Sequence, residues 1–179
     1  VISLPMKTDF RGINTREVAL IEGSAGWGEF SPFIEYDEHE SIPWLVSAIE
    51  GAIQPRAKAV RKYIDINATL PAVDSRAEVE SILSWFPGAE TVKIKVGSGQ
   101  EKDFARIKYV NEILPEASLR LDVNGSWGVE EALEFIYGFY DSFDEDLLQY
   151  IEQPCTTLEE LRELKAACMV DVKIAGDEV

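Results

Sequence analysis

Two lysines and three carboxylates recur at positions where short β-type runs would carry them to one place. In residues 91–97, TVKIKVG, the apolar Val92, Ile94 and Val96 alternate with Lys93 and Lys95. Successive side chains of a strand point to opposite faces, so the apolar set suits packing against helices and the lysines share the other face. SLRLDVNG (118–125) repeats the pattern, with Leu119, Leu121 and Val123 on the helix side and Arg120 and Asp122 opposite. QYIEQP (149–154) sets Tyr150 and Glu152 against Ile151, and DVKIAGD (171–177) sets Lys173 and Asp177 against Val172, Ile174 and Gly176. Taken singly, each strand-end acid reads as a turn or cap residue, and the lysines read as a device that keeps an edge strand soluble. Together, four successive runs aim charge at one interior, which is costly unless the charges pair or bind a metal. Asp122, Glu152 and Asp177 each close their run. Three carboxylates without imidazole or thiolate form a hard oxygen set suited to Mg²⁺, with Mn²⁺ able to substitute. A neighbouring ammonium and a divalent cation both disfavour protonation of a lysine, so its pKa is expected to fall and make it usable as a general base. Arg120 and Lys173, lower in their runs, are expected to partner buried carboxylates.

The composition limits what else this chemistry could be. His39 is the single histidine, which excludes most Ser–His–Asp, Cys–His and multi-histidine zinc chemistry. The two cysteines, Cys155 and Cys168, lack metal-type spacing and fit a reduced, cytoplasmic compartment. With 46% hydrophobic and 28% charged residues the chain is expected to be globular and soluble. A net charge of −16 argues against nucleic acid and anionic membrane as partners. No apolar run approaches the roughly 20 residues of a membrane span, and no signal peptide is visible.

Two regions must position these residues. Residues 1–62 read as a small α+β unit. A run at 15–22, TREVALIE, and a return at 26–30 form a hairpin across the glycine-rich GSAGWG. A helix is expected over 41–54, with Ser41 as N-cap, Pro43 in its first turn and Leu45, Ile49 and Ile53 recurring at fours. Residues 63–179 read as alternating strands and helices, with strands at 64–70, 91–96, 118–124, 149–152 and 172–177. Ser75 with Glu78, and Thr157 with Glu160, are capping-box signals for two of the helices. Strands recurring at intervals of roughly 25–30 residues match the repeat of a (β/α)₈ barrel. A doubly wound sheet is the alternative, but no Gly-x-Gly-x-x-Gly follows the first strand. The fold class expected is α/β: an N-terminal α+β capping domain, then a TIM-type barrel truncated after its fifth strand.

At this point the motifs resemble a known family. Lys93-Ile94-Lys95 is similar to the K-x-K motif of the muconate-lactonizing subgroup of the enolase superfamily, whose sites combine a lysine base with Mg²⁺ that stabilises an enediolate. Asp122-Val123-Asn124-Gly125, Ile151-Glu152-Gln153-Pro154 and Ala175-Gly176-Asp177-Glu178 resemble its three metal-ligand motifs, in order. Leu4-Pro5-Met6, Phe10-Arg11-Gly12, GWGEFSPFIEY (26–36), Asn67-Ala68-Thr69 and Glu152-Gln153-Pro154-Cys155 resemble stretches of actinobacterial o-succinylbenzoate synthases. That resemblance implies dehydration of 2-succinyl-6-hydroxy-2,4-cyclohexadiene-1-carboxylate to o-succinylbenzoate in menaquinone biosynthesis. It implies Lys95 as the base that takes the α-proton, supported by Lys93, with Asp122, Glu152 and Asp177 holding Mg²⁺ against the carboxylate of a small-molecule substrate. Arg11 and Asn124 are then substrate contacts, and the complete enzyme is expected to be a monomer. The family places a further lysine on the strand after the third ligand. The sequence ends at Val179, so that lysine, the last three barrel strands and the C-terminal part of the cap are expected to lie outside it. The same motifs serve N-acylamino acid racemases, dipeptide epimerases and muconate cycloisomerases. A non-catalytic fragment that binds its missing half is the reading from another class.

Overall fold

The computed structural model describes residues 1–10 and 12–179, the side chains of Asp9 and Phe10 excepted. It divides into two compact units, Val1–Tyr63 and Ile64–Val179.

The first unit is a three-stranded antiparallel sheet with one helix. β1 (Ile2–Phe10) pairs with β2 (Ile13–Gly23), and β2 with β3 (Gly26–Phe30). The β2–β3 hairpin runs from Ala19↔Phe30 to Gly23↔Gly26, as the alternation of 15–22 and its return predict. β1 was not expected, although Ile2, Leu4, Met6 and Phe10 alternate with Ser3, Pro5, Lys7 and Asp9. Its Pro5, opposite Thr15, is tolerated because β1 is an edge strand. Helix α1 (Glu38–Ile53) begins earlier than expected. Asp37, not Ser41, is its N-cap: Asp37 Oδ1 accepts from the Glu40 N–H at 2.8 Å and Glu40 Oε2 accepts from the Asp37 N–H at 3.1 Å. Pro43 therefore sits inside the helix. Its buried side is also not the expected Leu45–Ile49–Ile53 row. Ala48 and Ala52 are the buried residues, because the helix lies against glycines of the sheet. A Cβ on Gly28 would come within 1.7 Å of the Ala48 carbonyl oxygen, and one on Gly23 within 2.5 Å of that of Ala52. Only small residues on both sides allow that approach.

The second unit alternates strand and helix: β4 (Ala68–Leu70), α2 (Arg76–Leu83), β5 (Thr91–Lys95), α3 (Gln100–Ile113), β6 (Ser118–Asp122), α4 (Val129–Ser142), β7 (Leu148–Glu152), α5 (Leu158–Ala167) and β8 (Ile174–Ala175). The capping boxes at Ser75/Glu78 and Thr157/Glu160 form as the sequence predicts. All five strands are parallel, in the order β4-β5-β6-β7-β8. A sheet that adds each strand to the same edge winds as a barrel does. A doubly wound sheet reverses its order. Val92, Ile94, Leu119, Leu121 and Ile151 are fully buried and pack with Val79, Ile107, Val110, Ile136, Phe139 and Leu164 from the helices. The outermost strands are shorter than expected. Ile64 and Ile66 are more than 70% exposed, and β8 is two residues long. Among the described residues each of these strands has a neighbour on one side only, so half of its backbone groups gain nothing from staying extended.

Candidate active site

The parallel register lines up the strand ends. Lys93 pairs with Arg120 and Arg120 with Tyr150. Two residues higher, Lys95 pairs with Asp122, Asp122 with Glu152, and Glu152 with Ala175. Lys95, Asp122 and Glu152 thus stand side by side on the face opposite the hydrophobic core.

Lys93 Nζ lies 2.8 Å from Asp122 Oδ2 and 2.7 Å from Glu152 Oε1, and Lys95 Nζ lies 2.6 Å from Asp122 Oδ2. Lys95 also donates to Asn124 Oδ1. The Asp122 side chain is 2% exposed and that of Glu152 13%, while each lysine keeps about a quarter of its surface. Asn124 adopts a left-handed φ of 51°, which lets its N–H donate to Asp122 Oδ1 at 3.2 Å and its side-chain amide to Glu178 Oε1 at 3.0 Å. Such backbone strain in non-glycine residues gathers at functional sites.

Not every expected residue joins this group. Asp177 is exposed, and its backbone N–H, not its carboxylate, is held in place, by Gln153 Oε1 at 2.8 Å. Among the described residues no three His, Cys, Asp or Glu side chains gather closely enough to hold a metal ion. Arg11 lies outside the described residues. Arg120 does not pair with a buried carboxylate as expected. It donates to Gln149 Oε1 at 2.8 Å and Asn67 Oδ1 at 3.1 Å and lies 5.3 Å from the centre of the Tyr150 ring, so neutral amides and an aromatic face satisfy it. Lys173 is exposed.

Residues 1–52 match the family model described as enolase N-terminal domain-like, and residues 77–179, more than half of the chain, match that described as enolase C-terminal domain-like. The chain belongs to the enolase superfamily. It is 47% identical, over 99% of its length, to the o-succinylbenzoate synthases of Mycolicibacterium smegmatis and Mycobacterium tuberculosis, and covers 54% and 53% of them. The chain thus spans about half the length of the curated relatives it matches. Among solved structures, the o-succinylbenzoate synthase of Thermosynechococcus elongatus, complexed with Mg in its active site, superimposes with a TM-score of 0.62 at 24% identity, over 99% of this chain and 67% of that one. A mandelate racemase/muconate lactonizing protein from Herpetosiphon aurantiacus reaches a TM-score of 0.77 at 20% identity, over 99% and 65%. A dipeptide epimerase from Enterococcus faecalis reaches 0.55 at 29%, over 64% and 33%.

The donor set of this enolase-superfamily chain suits a hard divalent cation. Asp122 and Glu152 each bring an oxygen to the same ammonium, so their lone pairs already converge on one positive charge. Among the described residues no soft ligand competes. Cys155 is fully buried, and burial, then Glu160 and Glu163, push its thiol up to about 11. Burial acts to lower the pKa of Lys93, but the hydrogen bonds it donates to Asp122 and Glu152, and their charges, raise it above the usual value. Burial likewise acts to raise Asp122, and the two lysines outweigh it and hold its carboxyl low.

Sequence reasoning missed two sets of polar residues. Gln153 is 1% exposed, has φ of 40°, and ties Asp177 and Glu178 to β7. The motif Ile151-Glu152-Gln153-Pro154 contains it, but nothing in the sequence assigns it this structural role. Asp103 and Arg106, both fully buried on α3 behind β5, form the second set.

Proposed function

We propose that this chain belongs to an o-succinylbenzoate synthase, in which it supplies the base and metal-binding carboxylates that dehydrate 2-succinyl-6-hydroxy-2,4-cyclohexadiene-1-carboxylate in menaquinone biosynthesis. The observation that carries this reading is the 47% identity to curated synthases over 99% of the chain, against 29% over 64% for the dipeptide epimerase. The geometry supports the chemistry. Lys95, as the free amine, removes the proton α to the substrate carboxylate. It then returns that proton to the departing hydroxide, so a C–H and a C–O bond break, a C=C bond forms and water leaves. Asn124 and Asp122 hold the Lys95 ammonium between the two events. Lys93 holds Asp122 and Glu152 together. Asp122, Glu152 and Asp177 would hold Mg²⁺, which supplies positive charge beside the substrate carboxylate when bound.

The test is turnover of the intact protein, followed by formation of o-succinylbenzoate beside a parallel assay for racemisation of N-succinylamino acids. Dehydration that disappears in chelator, returns with Mg²⁺ or Mn²⁺, and is lost in both Lys95→Ala and Lys95→Arg is the expected result. Arginine keeps the charge but is effectively never deprotonated. Near-normal turnover of Lys95→Arg would overturn the base assignment. Racemisation without dehydration would overturn the substrate.

A further inference from the structure

Behind the lysine strand lies a buried ion pair with no part in the chemistry above. The Arg106 side chain, on α3, is 0% exposed and that of Asp103, one turn earlier, is 1% exposed. Arg106 Nη1 donates to Asp103 Oδ1 at 2.8 Å and to the carbonyl oxygen of Lys95 at 2.8 Å. Its Nε donates to the Val73 carbonyl at 2.7 Å, and Nη2 reaches Asp74 Oδ1 at 3.4 Å. Asp103 Oδ2 accepts from the backbone N–H of Gly97 at 2.8 Å and of Ser98 at 3.1 Å.

The strand register explains why the pair stands there. β4 pairs with β5 only as far as Leu70↔Ile94. The Val96 N–H reaches Asp122 on β6, so the Lys95 carbonyl, in the same trans peptide group and pointing the opposite way, faces the β4 side, where the ladder has ended. The guanidinium takes the place of the missing strand: it bonds that carbonyl and that of Val73, beyond the end of β4. A buried ion pair is a poor device for stability alone, since apolar replacements often serve as well. Here it grips the main chain of Lys95 at its carbonyl and, through Asp103, at the two amides that follow Val96. Gly97 completes the grip. With φ of +100° and room for a Cβ only 2.5 Å from Ser126 Oγ, it seats the loop against the turn after β6.

We propose that Arg106 and Asp103 are positioning residues for Lys95. They hold its backbone so that the amine meets the substrate α-carbon, which rests on the reading of Lys95 as the base. The structural reason is that all three peptide groups joining residues 95 to 98 are held from the α3 side, at the Lys95 carbonyl and the Gly97 and Ser98 amides.

The test uses the intact, metal-loaded protein and compares kcat, KM and thermal midpoint for Arg106→Lys, Asp103→Asn and Lys95→Ala. Arg106→Lys keeps a charge for Asp103 but cannot bond Val73, Lys95 and Asp103 together. A displacement near 1 Å costs up to about a hundredfold in rate, so a fall in kcat of at least about tenfold, with KM changed less than about twofold, is expected. Ile136→Val, a core change in α4 away from β5, serves as the control for lost stability and keeps its kcat. An Arg106→Lys kcat near that of the parent overturns the proposal. Should that variant not fold, the isosteric Asp103→Asn is read by the same kcat-to-KM split, and an unchanged kcat there overturns it equally. Lys95→Ala separates the two ideas. Retained turnover removes the base assignment and the positioning role with it. Lost turnover beside an unaffected Arg106→Lys removes the positioning role alone.

Discussion

Replacing Lys93 with methionine removes one charge that serves two carboxylates. In the parent, the ammonium lies 2.8 Å from Asp122 and 2.7 Å from Glu152. At an effective dielectric near 20, each contact is worth about 6 kcal/mol of raw attraction. Desolvation cancels much of this, and breaking a buried pair by removing one partner costs about 3–5 kcal/mol. The Lys93 side chain is 24% exposed and Lys95 still serves Asp122, so water and the second lysine recover part of the loss. A net destabilisation of about 2–3 kcal/mol is expected. The pH dependence fixes its origin. Asp122 is held below its unfolded value, so its contribution is present above about pH 4 and is lost as pH falls through the folded value. Lys93 is held above its unfolded value, so its contribution is complete below about pH 10 and is lost as pH rises through the folded value. Between these limits the difference between Lys93→Met and parent should be flat, and it should narrow at either end. Urea unfolding across this range measures it, with Asp122→Asn and the double variant closing the cycle. A Lys93→Met protein as stable as the parent at pH 7, or a coupling energy near zero, would refute the idea that the ammonium neutralises this pair.

Other perturbations probe separate links. Gly28→Ala drives a methyl group into the Ala48 carbonyl and should cost at least the 1–3 kcal/mol typical of overpacking, roughly estimated, read by the fluorescence of neighbouring Trp27 during unfolding. Iodoacetamide at pH 8 should alkylate the partly exposed Cys168 and spare Cys155 until denaturant is added, which peptide mass spectrometry reports. Because burial raises the Cys155 thiol to about 11, its contribution to stability is complete below about pH 8.5 and declines as pH rises from there toward the folded value. Gln153→Met removes the acceptor for the Asp177 and Glu178 N–H groups, and if Asp177 is a ligand it should weaken Mg²⁺ binding by about tenfold or more in a calorimetric titration.

The parts of the fold that could be read from sequence are those decided within a few residues. Alternation in 91–96 and 118–123 assigns the two faces of β5 and β6 correctly, since burial of Val92, Ile94, Leu119 and Leu121 needs only a helix layer somewhere behind them. The boxes at Ser75 and Thr157 are equally local. The start of α1 was misread although Asp37 and Glu40 carry the same box signature, because Ser41 and Pro43 offered a second start nearby. Its buried face could not be read locally at all. Leu45, Ile49 and Ile53 make the stronger apolar row, yet Gly23 and Gly28, on other strands, select Ala48 and Ala52 for close approach. β1 was missed although Ile2, Leu4, Met6 and Phe10 alternate with Ser3, Pro5, Lys7 and Asp9; Pro5 within the run argues against a strand, and the edge position opposite β2 accommodates it.

The site divides along the same line. That Lys95, Asp122 and Glu152 stand level follows from a single fact about parallel strands: runs of equal period, each ending in a charged residue, end at one height when their registers advance together. The sequence shows the period and the ends, so it shows the layer. What it cannot show is how the layer is held. Asp103 and Arg106 stand on the buried side of α3, four residues before Ile107 and Val110 respectively, where an apolar residue would be expected. They are buried because unpaired backbone groups of β5 and its loop come to meet them, and those groups are unpaired only because β4 stops at Leu70. A polar residue therefore becomes structural through the end of a strand some thirty residues away. The charged groups facing the site can be found from periodicity, while those that fix its geometry emerge only when the backbone is followed bond by bond.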